Sequence, residues 1–150
     1  MSLELGSTLP DFTLTDQNGA EFSISNVKGN LAAVIYFYPK NFTPGCTKEA
    51  CSFRDSYQDF VDLGATVIGI SADDEKSHQK FSQKFNLPFT LLADPKNKVR
   101  KLFGVKRGLL GILPGRETYV FNTEGKLTFK FHALGADPHI EKALKHLQNN

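Results

Sequence analysis

Apolar and polar positions alternate at the start of the chain and then give way to longer apolar runs. Residues 10–25, PDFTLTDQNGAEFSIS, place apolar side chains at alternate positions around Asn18-Gly19. This pattern predicts a β-hairpin, because Asn-Gly is a pair that tight hairpin turns favour. The continuous apolar run LAAVIYFYP, at 31–39, predicts a strand that is buried on both faces.

Helical and strand patterns alternate through the middle of the chain. The segment from Pro44 to about Leu63 has apolar residues at helical spacing and stops before Gly64, so it predicts a helix. The next segments read in turn as strand, helix, strand and helix: ATVIGISAD, DEKSHQKFSQKFN, FTLLAD and NKVRKLFG. Alternation of this kind predicts right-handed crossovers and a mostly parallel central sheet.

The last third of the chain predicts a loop, a second hairpin and a final helix. VKRGLLGILPGR, at 105–116, is interrupted by glycines and a proline, and we expect a loop there. ETYVFN and KLTFKFHA flank the turn at 123–125, and Asp137 is expected to cap a helix with Pro138 in its first turn. Together the elements predict an α/β, thioredoxin-like fold: a mixed central sheet flanked by helices, with an extra N-terminal β-hairpin.

Length and charge narrow the functional classes. The 150 residues predict a single domain spanning 1–150, and the 18 basic and 16 acidic residues are spread along the chain. We therefore expect no nucleic-acid partner and no membrane partner, and the densest basic run, KNKVRK at 96–101, is interpreted as a solvated helix face. Because MSLELGS lacks a secretion signal, we expect a cytoplasmic protein, or a plastid protein if a transit peptide has been removed.

The chain has two cysteines, Cys46 and Cys51, which favours thiol chemistry in a reducing compartment over a disulfide scaffold. Thr43-Pro44-Gly45-Cys46 predicts a helix start in which Thr43 caps and Cys46 lies in the first turn. Unpaired backbone N–H groups and the helix dipole favour the thiolate there. The alternative is that Cys46 is only a small buried apolar residue. Four histidines show no spacing that would complete a zinc site with the cysteines: His78, His132, His139 and His146.

The stretch around Cys46 resembles the peroxiredoxins, since Pro39, Thr43 and Cys46 match their P-x-x-x-T-x-x-C signature. TPGCTKEAC, with its second cysteine five residues on, and LPGRETYVF are similar to the peroxiredoxin Q or bacterioferritin comigratory protein subgroup. The resemblance covers nearly the whole chain, and RGLLGILPGRETYV is similar to cyanobacterial and plastid members.

The resemblance implies a thiol-dependent peroxidase that reduces hydrogen peroxide and organic hydroperoxides without metal, flavin or haem. Cys46 would be the peroxidatic thiolate and pass through a sulfenic acid. Cys51 would resolve it as an intramolecular disulfide, which thioredoxin or a similar dithiol reductant would reduce. The protein is expected to be a monomer or to associate weakly.

Four further residues acquire roles from the same resemblance. Thr43 would donate a hydrogen bond toward the peroxide or the sulfur, and Arg116 would stabilise the thiolate and the leaving oxygen. Glu49 would hold the guanidinium, and Pro39 would shape the loop and shield the sulfur. Judged without the resemblance, Thr43 is a simple helix cap, Arg116 a surface arginine and Glu49 an exposed helix residue.

Two other functions stay open. A thioredoxin-type disulfide reductase is the enzymatic alternative, although the chain has C-x-x-x-x-C where such enzymes have C-x-x-C. A non-catalytic binding module switched by its disulfide is the other, and the apolar loop at 109–113 could dock a partner. In a regular helix, residues five apart have Cα atoms about 8.7 Å apart. A disulfide needs less than about 7 Å, so Cys46 and Cys51 cannot bond while the helix is intact.

Overall fold

A seven-stranded mixed sheet forms the centre of the molecule. The structure, a computed structural model, describes residues 3–105, 107–108, 113–114, 116–132 and 137–149. The strands are β1 Thr13–Asp16, β2 Glu21–Ser23, β3 Ala32–Phe37, β4 Ala65–Ser71, β5 Thr90–Ala93, β6 Arg107–Gly108, β7 Leu113–Pro114, β8 Glu117–Phe121 and β9 Leu127–His132. The helices are α1 Pro44–Asp55, α2 Tyr57–Asp62, α3 Glu75–Phe85, α4 Lys98–Phe103 and α5 Asp137–Gln148.

The strand order β2-β1-β5-β4-β3-β8-β9 confirms the predicted thioredoxin-like arrangement. β3, β4 and β5 are parallel, whereas β8 is antiparallel to β3 and β9 is antiparallel to β8. The predicted N-terminal hairpin is present as β1 and β2, and it joins the same sheet through antiparallel pairing of β1 with β5. Its turn contains Gly19 at φ +80°, which glycine adopts with little strain.

The sheet separates two hydrophobic cores, and β3 contributes to both. Val34 and Tyr36 pack into one core with α1, while Ile35 and Phe37 pack into the other with α4. Because successive strand residues point to opposite faces, both faces of β3 are apolar, as the uninterrupted run predicts. β3 is therefore a central, fixed support for the loop that follows it.

The prediction of one continuous helix from Pro44 to about Leu63 is wrong. It is broken at Ser56, whose backbone lies at φ −101° and ψ 4°, into α1 and α2. Serine is a poorer helix former than alanine, which weakens the helix at that position. Phe53 of α1 and Phe60 of α2 nevertheless remain in one core, with ring centroids 5.7 Å apart.

The loop predicted at 105–116 contains a short antiparallel pair, β6 with β7, so the prediction of a loop throughout is wrong in part. Residues 109–112 of the proposed apolar docking segment lie outside the described residues. The final helix is present as α5, with Ile140 and Ala143 buried.

The interpretation of KNKVRK as a solvated face is wrong for two residues, because Val99 and Arg100 are both buried. Arg100 is buried, and its Nη2 donates a hydrogen bond to the Tyr38 carbonyl at 3.0 Å. The N-terminal backbone of α4 is held in turn by the Asp94 carboxylate, which accepts from the Val99 and Arg100 N–H groups. A basic residue thus fixes the backbone just after β3. None of the described helices is both long and apolar enough to cross a membrane.

Candidate active site

Cys46 lies at the junction of β3 and α1, where residues 38–43 connect the strand to the helix. Pro44 occupies the first turn of α1, as predicted, and Cys46 follows two residues later with a side chain only 2% exposed. Pro39, in the connecting loop, is half-buried. The thiol is therefore placed at the N-terminus of a helix and largely shielded from water, a setting in which N–H groups and the helix dipole favour a thiolate.

Arg116 reaches Cys46 from the residue just before β8. Its Nη2 lies 3.6 Å from Cys46 Sγ, and the side chain is 6% exposed, so its interpretation as a surface arginine is wrong. Gly45 makes the approach possible, because a Cβ at that position would lie 3.1 Å from Arg116 Nη2. The sequence did not single out Gly45 for this contact, since a close approach leaves no periodic signal.

Glu49 completes the ion pair beside the thiol. Its carboxylate is fully buried and its Oε1 accepts a hydrogen bond from Arg116 Nη1, so the alternative of an exposed helix residue is wrong. Burial raises the pKa of Glu49 to about 8, although the charge and hydrogen bond of Arg116 act in the opposite direction. Burial acts to lower the pKa of Arg116, but Glu49 and Cys46 outweigh it and raise that pKa above its usual value.

Thr43 has the backbone position of a helix cap but not the side-chain contact. Its φ of −76° and ψ of 151° are extended, yet its side chain makes no capping hydrogen bond, so that part of the prediction is wrong. Its Oγ1 donates instead to the Lys40 carbonyl at 2.8 Å. The hydroxyl thus closes the turn from Lys40 to Thr43, and it makes no hydrogen bond to the first N–H groups of α1.

Cys51 lies further along the same helix and is half-buried. Both thiols are reduced, and α1 runs without interruption from Pro44 to Asp55 through both cysteines. The ideal-helix separation of about 8.7 Å therefore applies to their Cα atoms. The structure holds the reduced state, in which the two sulfurs cannot bond.

Two sets of buried polar contacts near the site were not predicted from the sequence. The first is on α5, where His139 is buried with its Nδ1 2.7 Å from Thr118 Oγ1 and 4.0 Å from Glu49 Oε2. The second is the cluster of Asn41, Tyr38 and His78, which holds the loop before α1. Both join residues distant in the chain, and no local pattern predicts such pairs. No cluster of three or more His, Cys, Asp or Glu side chains within the described ranges could hold a metal ion.

The chain matches the AhpC/TSA family over residues 5–130. It is 52% identical to a protein named peroxiredoxin Q, chloroplastic, from Sedum lineare over 145 residues, which are 96% of this chain and 77% of that protein. The chain spans 66% to 77% of the length of such chloroplastic relatives from Sedum lineare and rice.

Solved structures show the same fold along nearly the full chain. Peroxidoxin BcpB from Mycobacterium tuberculosis is 39% identical with a TM-score of 0.89, covering 98% of this chain and 97% of that one. The bacterioferritin comigratory protein of Xanthomonas campestris, studied for its alkyl peroxide reduction activity, is 30% identical with a TM-score of 0.86, covering 98% and 96%.

The family match extends over more than half of the chain, and relatives at about half identity carry one name. The chain therefore belongs to the AhpC/TSA family and, within it, to the peroxiredoxin Q group of thiol-dependent peroxidases.

Proposed function

We propose that the chain reduces hydrogen peroxide and organic hydroperoxides with Cys46 as the peroxidatic thiol and Cys51 as the resolving thiol. The observation that carries the proposal is the contact of Arg116 Nη2 with Cys46 Sγ at 3.6 Å, at the start of a helix that also bears the second thiol. A permanent cation and a helix N-terminus both favour the thiolate over the thiol. Only the thiolate is the nucleophile.

In the first step the Cys46 thiolate attacks one oxygen of the hydroperoxide. An S–O bond forms, the O–O bond breaks, and the leaving oxygen takes a proton and departs as water or an alcohol. The sulfur is oxidised to the sulfenic acid and the peroxide is reduced. Arg116 carries the charge that stabilises the developing negative oxygen, Glu49 holds the guanidinium, and Thr43 and Pro39 shape the loop around the sulfur.

In the second step the Cys51 thiol attacks the Cys46 sulfenic sulfur. An S–S bond forms and water leaves. A thioredoxin-type dithiol then reduces the disulfide by thiol–disulfide exchange, becoming oxidised itself. A buried thiol with an arginine beside it favours this cycle over a binding module, which has no need of such a cation. The two cysteines have C-x-x-x-x-C spacing on one helix, whereas disulfide reductases have C-x-x-C, so the spacing favours a peroxidase over a disulfide reductase.

The relatives support a setting for the reaction. The chloroplastic proteins at about half identity support a plastid or plastid-like compartment, with the cytoplasm as the alternative. The alkyl peroxide activity named for the Xanthomonas protein supports organic hydroperoxides as substrates. We further propose that residues 1–150 form one domain that acts as a monomer.

The test is peroxide consumption by the purified protein with thioredoxin, for hydrogen peroxide and for an organic hydroperoxide. Cys46→Ser should abolish consumption, whereas Cys51→Ser should keep a single turnover that ends in a sulfenic acid. Equal loss of that first turnover in both variants would overturn the assignment of the two thiols. Insulin reduction without peroxide turnover would favour the disulfide reductase.

A further inference from the structure

A buried polar cluster fixes the loop between β3 and α1, and the chemistry described above does not use it. Asn41 is its centre: Oδ1 accepts from the Tyr38 hydroxyl at 2.6 Å, and Nδ2 lies 2.9 Å from His78 Nδ1 and 3.1 Å from Ser77 Oγ. The backbone N–H of Asn41 donates to Asp73 Oδ2 at 2.9 Å. One loop residue is thus tied to the end of β3, to α3 and to the segment after β4.

The protonation of His78 follows from its partners. Its Nε2 lies 3.0 Å from the Leu92 carbonyl, which can only accept, so Nε2 carries a hydrogen. In the neutral ring Nδ1 is then an acceptor and takes the hydrogen bond from Asn41 Nδ2. Burial lowers the pKa of His78, which keeps the ring neutral, while Asp73, Asp74 and Glu75 act in the opposite direction. The cluster is satisfied in this one arrangement of protons.

The loop also stores backbone strain. Phe42 lies at φ +66°, in the left-handed region that a bulky side chain rarely adopts. Such a conformation persists only where the surroundings hold it. Its ring is 46% exposed and packs edge-on against Phe81, with centroids 5.1 Å apart, so packing supplies only part of the restraint. The remaining restraint comes from its neighbours, Asn41 on one side and the Thr43–Lys40 hydrogen bond on the other.

We propose that Asn41, held by Tyr38 and His78, is a positioning residue that locks the loop in its peroxide-reactive conformation. The lock places Thr43 and Cys46 for attack, and it opposes the strained Phe42 backbone, which favours release. It therefore also delays the local unwinding that a bond to Cys51 requires. The inference rests on the proposed function, and it predicts that the two steps of the cycle respond in opposite directions when the lock is broken.

The test compares Asn41→Ala with Asn122→Ala. Asn122 is a matched control, because its Oδ1 also accepts hydrogen bonds from backbone N–H groups, in the turn between β8 and β9. Quenched-flow mass spectrometry with thiol blocking follows sulfenic acid and disulfide separately. Asn41→Ala should slow Cys46 oxidation about tenfold, as expected when a buried polar cluster loses a partner.

The same variant should form the disulfide faster than the wild type, and Asn122→Ala should change neither step. A site that is merely damaged slows both steps, and that result, or no change in either, would overturn the lock. Failure of the wild type itself to consume peroxide would instead overturn the proposed function. The two failures are thus distinguishable.

Asn41→Asp supplies a second readout, the pKa of His78, which does not depend on how much stability the substitution costs. A carboxylate facing Nδ1 favours the protonated ring, so the pKa of His78 should rise, while the hydroxyl of Tyr38 can still donate to Asp. Asp73, Asp74 and Glu75 are unchanged, so the shift in an NMR titration of His78 reports position 41.

The oxidation rate of Asn41→Asp, taken relative to the wild type at each pH, should recover as the pH falls through the raised pKa of His78. Asn41→Ala should show no such recovery. An unchanged titration of His78, or a rate ratio that does not vary with pH, would contradict the lock.

Discussion

At the scale of single residues, Cys46 depends on a cation that is itself held by a buried acid. Arg116 donates to Glu49 through Nη1 and contacts Cys46 Sγ through Nη2, so one guanidinium joins the two groups. Gly45 leaves room for it, since a Cβ there would meet Nη2 at 3.1 Å. Charge, position and space around the sulfur are therefore set by three residues from two distant parts of the chain.

We predict that Arg116→Met slows the oxidation of Cys46 by about 100-fold or more, the effect of losing one such stabilising group. Arg116→Lys should restore only part of the rate, because lysine cannot contact Glu49 and Cys46 with a planar fork. Stopped-flow oxidation of the wild type and both variants measures the effect. Identical oxidation rates in wild type and Arg116→Met would contradict the assigned role.

The raised pKa of Glu49 predicts a pH dependence of stability. Its carboxyl binds a proton up to about pH 8 in the folded protein, but only up to the ordinary value of 4.5 when unfolded. Between these values the folded state holds the extra proton, so the free energy of unfolding falls as pH rises, by at most about 1.4 kcal/mol per unit. Glu49→Gln, which cannot titrate, should lose this slope.

Denaturant unfolding of both proteins from pH 5 to pH 8 checks this expectation. The free energy of unfolding should fall more steeply with pH in the wild type than in Glu49→Gln, by at most about 1.4 kcal/mol per pH unit. Parallel curves would show that Arg116 keeps Glu49 ionised throughout this range. The comparison of slopes is insensitive to any uniform loss of stability caused by the substitution.

At the scale of elements, α1 is the part of the molecule that the cycle requires to change. It carries both thiols in one continuous helix, and Gly45 and Thr47 are poorer helix formers than alanine. We predict that oxidation unwinds the first turns of α1 and that the oxidised monomer has fewer helical residues. Hydrogen exchange should show amides of residues 46–53 losing protection in the oxidised protein.

Cys51→Ser is the control for this measurement, since it lacks the resolving thiol and should keep α1 protected after one equivalent of peroxide. Equal protection of residues 46–53 in reduced and oxidised wild type would exclude unwinding. A bond between Cys46 and Cys51 would then have to join two chains.

Local pattern predicted most elements but not the contacts that join them. The alternation around Asn18 and the apolar run of β3 reflect how each residue is buried, so the strands were predictable from spacing alone. The burial of Arg100 depends on the Tyr38 carbonyl, 62 residues away, and no local pattern predicts it. The break at Ser56 interrupts an otherwise continuous helical pattern, and it was not predicted either. Tertiary contacts override local propensity in this way throughout proteins.

The candidate site, too, was predictable from local pattern only where its residues are close together in the chain. The placement of Cys46 at a helix start followed from neighbouring residues, because capping and proline preferences are local. Arg116 and Glu49 are 67 residues apart, and only the family resemblance brought them together before the structure did. The contact of Asn41 with His78, across 37 residues, had neither a local signal nor a family motif to indicate it.

At the scale of the whole molecule, α1 is part of one of the two cores. Ala50 and Phe53 are fully buried in the core on its side of the sheet, together with Cys46. Unwinding as far as Cys51 removes Cys46 and Ala50 from that core and separates Glu49 from Arg116. Formation of the disulfide is therefore coupled to the stability of the fold.

We predict that the oxidised protein melts at a lower temperature than the reduced protein, although disulfides usually stabilise proteins. Closing a loop of six residues stabilises by only about 2 kcal/mol on the chain-entropy estimate. Separating Glu49 from Arg116 leaves a buried guanidinium without that hydrogen-bond acceptor, which costs about 1–3 kcal/mol or more for a charged group, before the lost packing of Cys46 and Ala50 is counted. The Tm should accordingly fall by roughly 2 to 10 °C in a protein of this size.

Calorimetry with and without dithiothreitol tests this prediction, and Cys51→Ser, kept free of peroxide, should melt at the same temperature in both conditions. An oxidised wild type that melts at or above the reduced one would contradict it. The prediction also bears on recycling, because folding free energy lost on oxidation raises the reduction potential of the disulfide, by about 30 mV for each 1.4 kcal/mol. A bond that the fold disfavours is one that a thioredoxin-type dithiol reduces readily, and reduction lets α1 re-form with Cys46 beside Arg116 for the next turnover.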